Sequence, residues 1–554
     1  MKITSLSTVA VALCVAALHV PGTKANAQTA TPAPAPSASL VPNADFKTVD
    51  ATGWPAGWTR GAEGQATFET EGATHFIRLV STQPGQYVSA SQKAAIPAGT
   101  KGLDLDINFR TSGVKFGKSF QCDARMQLKL ADAQGNEVKP SAPDAVFDSH
   151  AQAWTNLKKQ FLIPDNVASV SVTLCLDRPA SGTLDVASVG MGVMSAADVQ
   201  AIVQAPIIAA KKKADDEATA QQMLTLPPRT PELKVAGTKL VTATGSTVRL
   251  QGVNVCSLEW SPKGENIEQS VKVALIDWKA NAIRLPVFDG FWFGQGKPPQ
   301  VTSNDAEAYR KIVDNAIKMA ASQGAWIILD LHRFHAPEAR DAAFWKDAAA
   351  RYKNNPAVLF DIFNEPGGIS WDIWQNGGQV QDKPKKGAPT PPPFQSPGMQ
   401  GLVDTVRSTG ANNIIVAGGL GSAYDLMGVL QGHALTDKTG NGIMYATHFY
   451  NWQRNWEKHF LPVAAKYPVL VGETGADEKK MPFVPAKDQE DPKTWVPNAL
   501  GFIQKYQLNW TGFCLHPKST PRMIEDWNYT PTPFWGALAK RALAGEQFPF
   551  QAMR

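Results

Sequence analysis

The chain is poor in cysteine and has no basic stripe. It contains 5 cysteines among 554 residues, and their spacing lacks the paired pattern of a zinc site. Its 54 lysines and arginines and 49 acidic residues leave a net charge of +5, and no run of basic residues is interleaved with aromatics. The composition therefore gives no support to nucleic acid binding.

Long apolar runs are absent beyond the amino terminus. No segment after residue 27 reaches the roughly 18 consecutive apolar residues that a membrane helix needs, so we expect no membrane partner. Residues 1–27 have the features of a secretory signal, with Lys2 at the start, an apolar core at 9–18 and a small-x-small cleavage site at 25–27. We therefore expect a secreted or periplasmic protein, and we expect it to be a monomer.

The amino-terminal part of the chain has the composition of a spacer followed by an all-β domain. Thr, Ala, Pro and Ser dominate 28–39, which predicts a flexible spacer. Apolar and polar residues then alternate with period two in several short segments, including 103–109 and 170–176. This pattern predicts a jelly-roll β-sandwich over 40–195. Residues 196–232, rich in Ala, Lys, Gln and Pro, are predicted to be a linker that is helical in its first half.

The start of the predicted sandwich resembles that of jelly-roll carbohydrate-binding modules. The resemblance rests on Asn43-Ala44-Asp45-Phe46, Gly53-Trp54-Pro55 and Gly57-Trp58. Aromatic rings in such a module can stack on the C–H face of a sugar, and the same rings can equally belong to the hydrophobic core. The residues open to both interpretations are Trp54, Trp58, Tyr87 and Trp154.

From residue 233 to 554, apolar strand-like segments alternate with helical stretches. Eight such segments, buried on both faces, predict a (β/α)8 TIM barrel, an α/β fold. A doubly wound open sheet is the alternative, and it is disfavoured because no glycine-rich phosphate-binding turn follows the first segment. The proline-rich stretch 383–397 is predicted to be an exposed insertion after the fourth strand. The eight segments are 252–256, 282–287, 326–331, 358–363, 413–417, 444–449, 469–472 and 510–515.

Four cysteines remain after the predicted signal, and export permits disulfides. Cys122 and Cys175 both lie in the predicted sandwich. Cys256 and Cys514 lie in the first and last predicted barrel strands, which become neighbours when a barrel closes. Two disulfides within domains and four buried free thiols both fit this placement.

Polar side chains follow the carboxyl ends of the predicted barrel strands, where the active sites of such barrels lie. They are Arg284, Asp330, His332, Asn364, Glu365, His448, Tyr450 and Glu473. Glu365 and Glu473 place two carboxyl groups at the ends of two apolar strands. Cleavage of a glycosidic bond uses such a pair, because one carboxyl group protonates the leaving oxygen while the other attacks or stabilises the anomeric carbon. The sequence therefore predicts a glycosidase.

The carboxyl-terminal domain resembles glycoside hydrolase family 5, a family of cellulase-like retaining barrels. The resemblance spans about residues 235–545 and implies that Glu365 is the general acid and base and that Glu473 is the nucleophile. The motifs that carry it are Ile283-Arg284-Leu285-Pro286, Asp330-Leu331-His332, Phe363-Asn364-Glu365-Pro366, His448-Phe449-Tyr450 and Gly472-Glu473.

The resemblance also implies roles for the neighbouring residues. Arg284 and Tyr450 would keep Glu473 ionised. Two carboxyl groups about 5 Å apart do not readily ionise together, so we expect the other one to stay protonated. This mechanism needs no metal ion or cofactor, and we expect none. The residues that would hold the reacting sugar are Asn364, His332 and His448.

The eighth strand departs from the family pattern. The family has a tryptophan at its end, as a platform under the reacting sugar, whereas this chain has Gly512-Phe513-Cys514-Leu515-His516-Pro517. We predict that His516 or Trp527 takes over this role, or that this sugar subsite differs from that of the family. Other tryptophans that follow strand ends fit either sugar subsites or loop packing, and of these we assign Trp292 to the substrate-binding set. They are Trp260, Trp292, Trp371, Trp374 and Trp452.

We therefore expect a retaining endo-type β-glycosidase that acts on a polysaccharide or oligosaccharide, with β-1,4-glucan as the leading substrate. Mannan, xyloglucan and small glycosides stay open as substrates, and a transglycosylase would share every residue of the site. The alternative from another class is a catalytically silent carbohydrate-binding protein. Loss of either glutamate would favour that alternative, and both glutamates are present.

Overall fold

The chain divides into two compact units, Met1–Pro206 and Ile207–Arg554. The predicted signal, the spacer up to residue 38 and Cys122 lie outside the described residues. Within the described part, no helix is long and apolar enough to cross a bilayer. The computed structural model describes residues 39–118, 123–382, 384 and 389–554.

The first unit is a sandwich of two five-stranded antiparallel sheets, ordered β1-β4-β9-β6-β7 and β2-β3-β10-β5-β8. Its strands are β1 (Thr59–Arg60), β2 (Gln65–Glu71), β3 (Thr74–Ser81), β4 (Tyr87–Ala95), β5 (Gly102–Lys115), β6 (Ala124–Ala131), β7 (Ala145–Val146), β8 (Thr155–Leu162), β9 (Ser169–Asp177) and β10 (Ser181–Val193). Alternate residues point into one core, as the burial of Leu103, Leu105 and Ile107 illustrates. The predicted all-β fold of this region is confirmed.

Two of the aromatic residues considered for sugar stacking belong to the core instead. Trp54 and Trp58 are only 3% and 4% exposed, and the indole N–H of Trp54 donates to the carbonyl of Trp58 at 2.9 Å. Tyr87 and Trp154 remain half-buried, and the Arg110 guanidinium lies 4.5 Å from the centre of the Trp154 ring. Burial therefore excludes sugar stacking on Trp54 and Trp58, whereas Tyr87 and Trp154 still have exposed surface for it.

The predicted linker contains one long helix, α1 (Ala196–Met223). Ser195 precedes it, and its hydroxyl accepts a hydrogen bond from the backbone N–H of Asp198 at 3.1 Å, as a helix N-cap does. The run of Ala, Lys and Gln residues favours a helix throughout. The helix thus extends well beyond the first half of the segment, further than expected.

The second unit contains a closed barrel of eight parallel strands, β14-β15-β16-β18-β22-β23-β24-β25. Each predicted segment overlaps one of these strands, and the (β/α)8 prediction is confirmed. The strands of the unit are β11 (Leu233–Ala236), β12 (Lys239–Thr242), β13 (Thr247–Val248), β14 (Gln251–Asn254), β15 (Ala282–Val287), β16 (Trp326–Leu331), β17 (Phe334–His335), β18 (Val358–Asp361), β19 (Glu365–Pro366), β20 (Gly378–Val380), β21 (Phe394–Ser396), β22 (Ile415–Gly418), β23 (Ile443–Tyr450), β24 (Val469–Gly475) and β25 (Asn509–Gly512).

Helices cover the outer face of the barrel strands, and side chains inside the barrel bury the inner face. All six residues of β15 are buried, as are all six of β16, which explains their nearly continuous apolar sequences. The helices are α2 (Ile267–Lys272), α3 (Asp289–Trp292), α4 (Ala306–Ser322), α5 (Ala339–Tyr352), α6 (Trp371–Asn376), α7 (Gly398–Ser408), α8 (Trp456–His459), α9 (Leu461–Ala464), α10 (Pro492–Lys505) and α11 (Gly536–Leu543).

The register of the barrel brings polar strand ends to one edge. Asp330 of β16 pairs with Asp361 of β18, and His448 of β23 pairs with Glu473 of β24. Between the pairs Thr447–Val471 and His448–Glu473 the register shifts, so β24 has one extra residue, Gly472, just before Glu473. Glu365 lies beyond the end of β18, on β19, which pairs with β17 in a separate two-stranded sheet. The predicted site residues on β15, β16, β23 and β24 are thereby placed by the barrel itself, and Glu365 is not.

The described cysteines are free. Cys175, Cys256 and Cys514 are buried thiols, and Cys122 lies outside the described residues. Burial raises the pKa of the Cys175 thiol to about 12. The sequence left both disulfides and free thiols open, and the three described cysteines are free thiols.

Candidate active site

A completely buried arginine lies at the centre of the site. Arg284 forms ion pairs with Asp330 at 3.0 Å, with Asp361 at 2.9 Å and with Glu473 at 2.8 Å. Burial by itself lowers the pKa of the guanidinium, but the three acidic groups outweigh it and raise that pKa. Arg284 is therefore permanently charged, and one cation faces three acidic groups inside the barrel.

Both carboxylate oxygens of Glu473 accept hydrogen bonds. Oε1 accepts from Nη1 of Arg284 at 2.8 Å, and Oε2 accepts from the Tyr450 hydroxyl at 2.5 Å. Burial and the charge of Glu473 raise the pKa of Tyr450, so its hydroxyl stays protonated and continues to donate. Donors aimed at an ionised carboxylate favour that form. Glu473 is thus held in one orientation by two donors.

Glu365 lies in a different environment. Its Oε1 is 3.1 Å from Nδ1 of His448, and its backbone N–H donates to the Arg333 carbonyl at 3.0 Å. Burial raises the pKa of Glu365 to about 7, and the nearby positive charges of His332 and Arg284 only partly oppose this. Near neutral pH the carboxyl group therefore holds a proton for about half of the time. The two glutamates differ in protonation because their surroundings differ.

The two glutamates are close together. One oxygen of each carboxyl group and one ring nitrogen of His448 all lie within 4.8 Å of one another. Groups at this spacing can also hold a metal ion. Here, however, Arg284 and Tyr450 occupy both oxygens of Glu473, and a metal cation would lie next to the guanidinium. These contacts therefore fit two carboxyl groups that take part in proton transfer better than they fit a metal site.

The two histidines of the site carry different charges. Burial lowers the pKa of His448 to about 4, so its ring is neutral near pH 7. Burial also lowers the pKa of His332, but the hydrogen bond between its Nδ1 and Asp330, at 2.8 Å, outweighs the burial and raises that pKa to about 9. His332 is therefore a cation at the cleft wall, and His448 is a neutral partner for Glu365.

The orientation of the Asn364 side chain follows from its contact with Arg284. A guanidinium only donates hydrogen bonds, so the oxygen that lies 2.8 Å from Nη2 of Arg284 is Oδ1. The amide nitrogen of Asn364 is buried and has no partner among the described residues. Asn364 also lines the cleft. Its N–H groups are therefore left for a ligand.

These side chains form the floor of a cleft of about 620 Å³. Phe334 and Phe483, at its edge, are 56% and 73% exposed, and the ring of Trp452 stacks on Tyr450 with centroids 4.8 Å apart. Exposed rings at the edge of a cleft offer flat apolar faces on which a sugar chain can stack. The cleft is lined by His332, Phe334, Asn364, Glu365, Gly421, Ser422, Tyr450, Trp452, Gln453, Glu473, Met481, Phe483, Phe513, Thr520 and Pro521.

The structure places the aromatic platform differently from the prediction. His516 is only 2% exposed, its Nδ1 accepts hydrogen bonds from the backbone N–H groups of Lys518 and Ser519, and it does not line the cleft. Trp527 packs edge-on against His516, with ring centroids 4.9 Å apart, and also does not line the cleft. Phe513, three residues before His516, lines it instead. Neither predicted platform residue therefore lines the cleft, and Phe513 does.

Trp292 is also misassigned by the sequence. Its side chain is completely buried, its indole N–H donates to Asp347 at 2.7 Å, and its ring packs edge-on against Phe344 at 5.2 Å. Trp374 is buried in the same way. The assignment of Trp292 to substrate binding is wrong because the helix that follows β15 turns this side chain into the layer between helices and barrel.

Two buried acids of the site are absent from the sequence-based prediction. Burial raises the pKa of Asp361 to about 7 despite the opposing charge of Arg284, and burial raises the pKa of Glu259 to about 7. The backbone N–H of Ser257 donates to Glu259 at 2.8 Å. A signal for Asp361 is present in the sequence, since an acid inside the apolar segment 358–363 requires a buried partner.

Comparisons with known proteins agree with this geometry. The family model for cellulases, glycosyl hydrolase family 5, matches residues 241–519, which include every predicted site residue except Trp527. The chain is similar to Endoglucanase E-5 of Thermobifida fusca, with 24% identity over 261 residues, covering 44% of this chain and 48% of that protein. It is similar to Endoglucanase 5 of Pectobacterium carotovorum subsp. carotovorum, with 25% identity over 306 residues, covering 52% and 51%.

Among solved structures, the chain is similar to a beta-glucanase of Saccharophagus degradans in complex with cellotetraose. The TM-score is 0.46 and the identity 21%, over 57% of this chain and 94% of that chain. The chain spans about half the length of the curated relatives that it matches.

Proposed function

Because the chain belongs to glycosyl hydrolase family 5, we propose that it is an endo-β-1,4-glucanase that cleaves with retention of anomeric configuration. In this proposal Glu473 is the nucleophile and Glu365 is the general acid and base. The protein is a glycoside hydrolase, and the proposal adds its substrate, its mechanism and the roles of its residues.

The observation that carries the proposal is the short separation of the two glutamates. Retaining glycosidases have their two carboxyl groups about 5–5.5 Å apart, whereas inverting ones leave about 6.5–9.5 Å for a water molecule. Oxygens of Glu365 and Glu473 lie within 4.8 Å of one another, which supports direct attack by one of them. The surroundings support these roles, because Arg284 and Tyr450 donate hydrogen bonds to Glu473 while burial favours the protonated form of Glu365.

The proposed reaction has two steps. A carboxylate oxygen of Glu473 bonds to the anomeric carbon while the bond from that carbon to the leaving oxygen breaks, and Glu365 transfers its proton to the leaving oxygen. Glu365, now ionised, then removes a proton from water. The water oxygen bonds to the anomeric carbon, and Glu473 is released as a carboxylate. The Nδ1 atom of His448 lies 3.1 Å from Oε1 of Glu365. Because the His448 ring is neutral, it adds no charge beside Glu365 in either step.

The cleft supports a long neutral chain as the substrate. The exposed rings of Phe334 and Phe483 and the Phe513 side chain, all in the lining of the cleft, support contacts with several sugar units. The free N–H groups of Asn364 support a contact with a sugar hydroxyl next to the anomeric carbon. The names of the curated relatives, all endoglucanases in the two comparisons above, agree with internal cleavage of a glucan.

Reducing-end release by the mature protein tests the substrate. The panel contains β-1,4-glucan, mannan, xyloglucan and xylan, and the variants are Glu473→Ala and, as a matched control, Glu457→Ala on the exposed surface of α8. We expect release from β-1,4-glucan that is lost in the first variant and kept in the second. If reducing ends are released only from mannan or xyloglucan, that polymer is the substrate instead of β-1,4-glucan. If no polymer is cleaved, a carbohydrate-binding protein without activity is favoured.

Rescue of activity by azide and the dependence of the rate on the leaving group test the mechanism. Azide should restore turnover of Glu473→Ala and yield a glycosyl azide of inverted configuration, since it occupies the place of the missing nucleophile. Glu365→Ala should slow unactivated oligosaccharides far more than aryl glycosides whose leaving group needs no proton. A rescued product of unchanged configuration would remove Glu473 from the nucleophile role, and equal slowing of both substrates would remove Glu365 from the acid role.

We further propose export to the periplasm or the medium, with residues 1–27 removed, and a monomeric state. The signal-like composition of that segment supports export. The mass of the protein recovered outside the cytoplasm would show whether cleavage follows residue 27. Light scattering of the purified protein would show whether its mass is that of one chain.

A further inference from the structure

A two-residue parallel ladder, outside the barrel, carries the backbone of Glu365. Phe334 pairs with Glu365 and His335 with Pro366, and the backbone N–H of Gly367 donates to the His335 carbonyl at 2.8 Å. The barrel strand that precedes Glu365 ends at Asp361. The position of the Glu365 carboxyl group therefore depends on how firmly this short ladder is held.

The side chain of His335 closes the end of the ladder. Its Nδ1 lies 2.8 Å from the carbonyl oxygen of Gly367, and its Nε2 lies 2.6 Å from the carboxylate of Asp382. A carbonyl oxygen only accepts hydrogen bonds, so Nδ1 carries a hydrogen. Nε2 on the other side of the ring faces the carboxylate of Asp382, so the ring connects Gly367 with Asp382.

Asp382 connects this contact to the proline-rich insertion. It follows β20 (Gly378–Val380), which pairs with β21 (Phe394–Ser396) to form the hairpin of the insertion. The Phe394 ring also meets the His335 ring edge-on, with centroids 6.3 Å apart. The backbone of His335 has φ of 81°, a left-handed conformation that a non-glycine residue keeps only when its surroundings hold it there. The ladder, the insertion and this imidazole thus form one unit.

We propose that His335 is a positioning residue for Glu365, and that Asp382, directly before the proline-rich insertion, holds the His335 ring in place. We name the contact set of His335, Gly367 and Asp382 the His335 bridge. The bridge fixes Gly367, two residues after Glu365, and so keeps the Glu365 carboxyl group within reach of the leaving oxygen. This inference rests on the proposed role of Glu365 as the general acid. Its consequence is that the insertion contributes to protonation of the leaving group without contacting the substrate.

Leaving-group dependence separates this role from a purely structural one. In His335→Gln and Asp382→Asn we expect kcat/KM for an unactivated glucan oligosaccharide to fall about tenfold, since a small misplacement of a catalytic group is enough for such a loss. For an aryl glycoside with an activated leaving group we expect less than about a twofold change, because the step measured by kcat/KM then needs no proton. Loss of general stability would lower both values together.

The double variant and a matched histidine provide the controls. If the bridge acts as a unit, His335→Gln with Asp382→Asn should lose no more than either single variant. His459 is the matched control, because it lies 3.5 Å from Asp425 with side-chain exposures of 37% and 32%, close to the 36% and 40% of the His335 pair. We expect His459→Gln to leave both substrates unchanged.

Each outcome decides the proposal. Equal losses on both substrates, no loss on the oligosaccharide, or additive losses in the double variant overturn the positioning role of His335. Glu365→Ala is measured with the same two substrates. If that variant shows no leaving-group dependence, the proposed acid role of Glu365 fails, and with it the premise of the bridge. If it shows the dependence and His335→Gln does not, only the bridge fails. Circular dichroism and thermal unfolding of every variant show that the fold is retained.

Discussion

Replacing Arg284 with glutamine should destabilise the barrel by about 3–5 kcal/mol at pH 7, and this loss should shrink as the pH falls. The side chains of its three acidic partners, Asp330, Asp361 and Glu473, are at most 6% exposed. Removing one partner of a buried ion pair leaves an uncompensated charge, which is the origin of the expected loss. With glutamine in place, the acids can relieve their repulsion only by taking up protons.

The magnitude follows from that proton uptake. Holding a proton at pH 7 on a carboxyl group whose pKa in the unfolded chain is about 4 costs about 4 kcal/mol, since each pH unit is about 1.4 kcal/mol. In the variant the folded state binds protons that the unfolded state does not. Stability contributed by a raised carboxyl pKa is present at low pH and is lost as the pH rises through the folded value. Among the three partners of Arg284, Asp361 shows this already in the wild-type protein, because burial raises its pKa to about 7.

Urea unfolding at several pH values between 5 and 8 measures the effect. Tryptophan fluorescence reports mainly on the barrel unit, because 3 of the 16 tryptophans, Trp54, Trp58 and Trp154, lie outside it. The control is Arg351→Gln, whose ion pair with Asp314 at 2.7 Å is partly exposed and should contribute less than about 1 kcal/mol at any of these pH values. A deficit that stays constant with pH, or that grows as the pH falls, would refute the charge reasoning.

Three further predictions concern activity. The kcat/KM for glucan should fall as the pH rises through about 7, because Glu365 then loses the proton it donates, and a flat profile up to pH 9 would contradict this assignment. Phe513→Ala should lower kcat/KM for oligosaccharides about tenfold, because the ring that stacks on a sugar is lost. The control is Phe293→Ala, which removes an exposed phenyl ring outside the cleft and should leave kcat/KM unchanged. Equal effects of the two substitutions would contradict a platform role for Phe513. Removal of residues 28–195 should keep turnover of soluble substrate and weaken attachment to insoluble cellulose, as a sedimentation assay would show, and unchanged attachment would leave the sandwich a structural role.

The barrel could be predicted from the sequence because its strands are covered on both faces. A segment such as 282–287 has to be apolar along its whole length, which distinguishes it from the alternating strands of the sandwich. Once eight such segments close into a barrel, their carboxyl ends lie at one edge. The meeting of Arg284, His448 and Glu473 follows from that geometry alone, and the structure does bring these residues together.

The aromatic residues could not be assigned in the same way. Whether a tryptophan after a strand faces the cleft or the helix layer depends on the conformation of the following loop, which has no periodic signal. Trp292 turns inward, and Phe513 occupies the position expected for a larger ring. The ladder between Phe334 and Glu365 was equally hidden, because two-residue strands carry no recognisable pattern. Helix α1 extends past the first half of the linker because its residues favour a helix beyond the proline at 206.

Arg284 is surrounded by more acidic groups than its charge can balance. A sugar ring becomes positively charged as its glycosidic bond breaks, and Glu473 is the member of this set that lines the cleft. His332 adds a second positive charge beside Asp330, so the charges of the site nearly balance while Glu365 and Asp361 hold protons. This charge balance suits the entry of a neutral sugar chain.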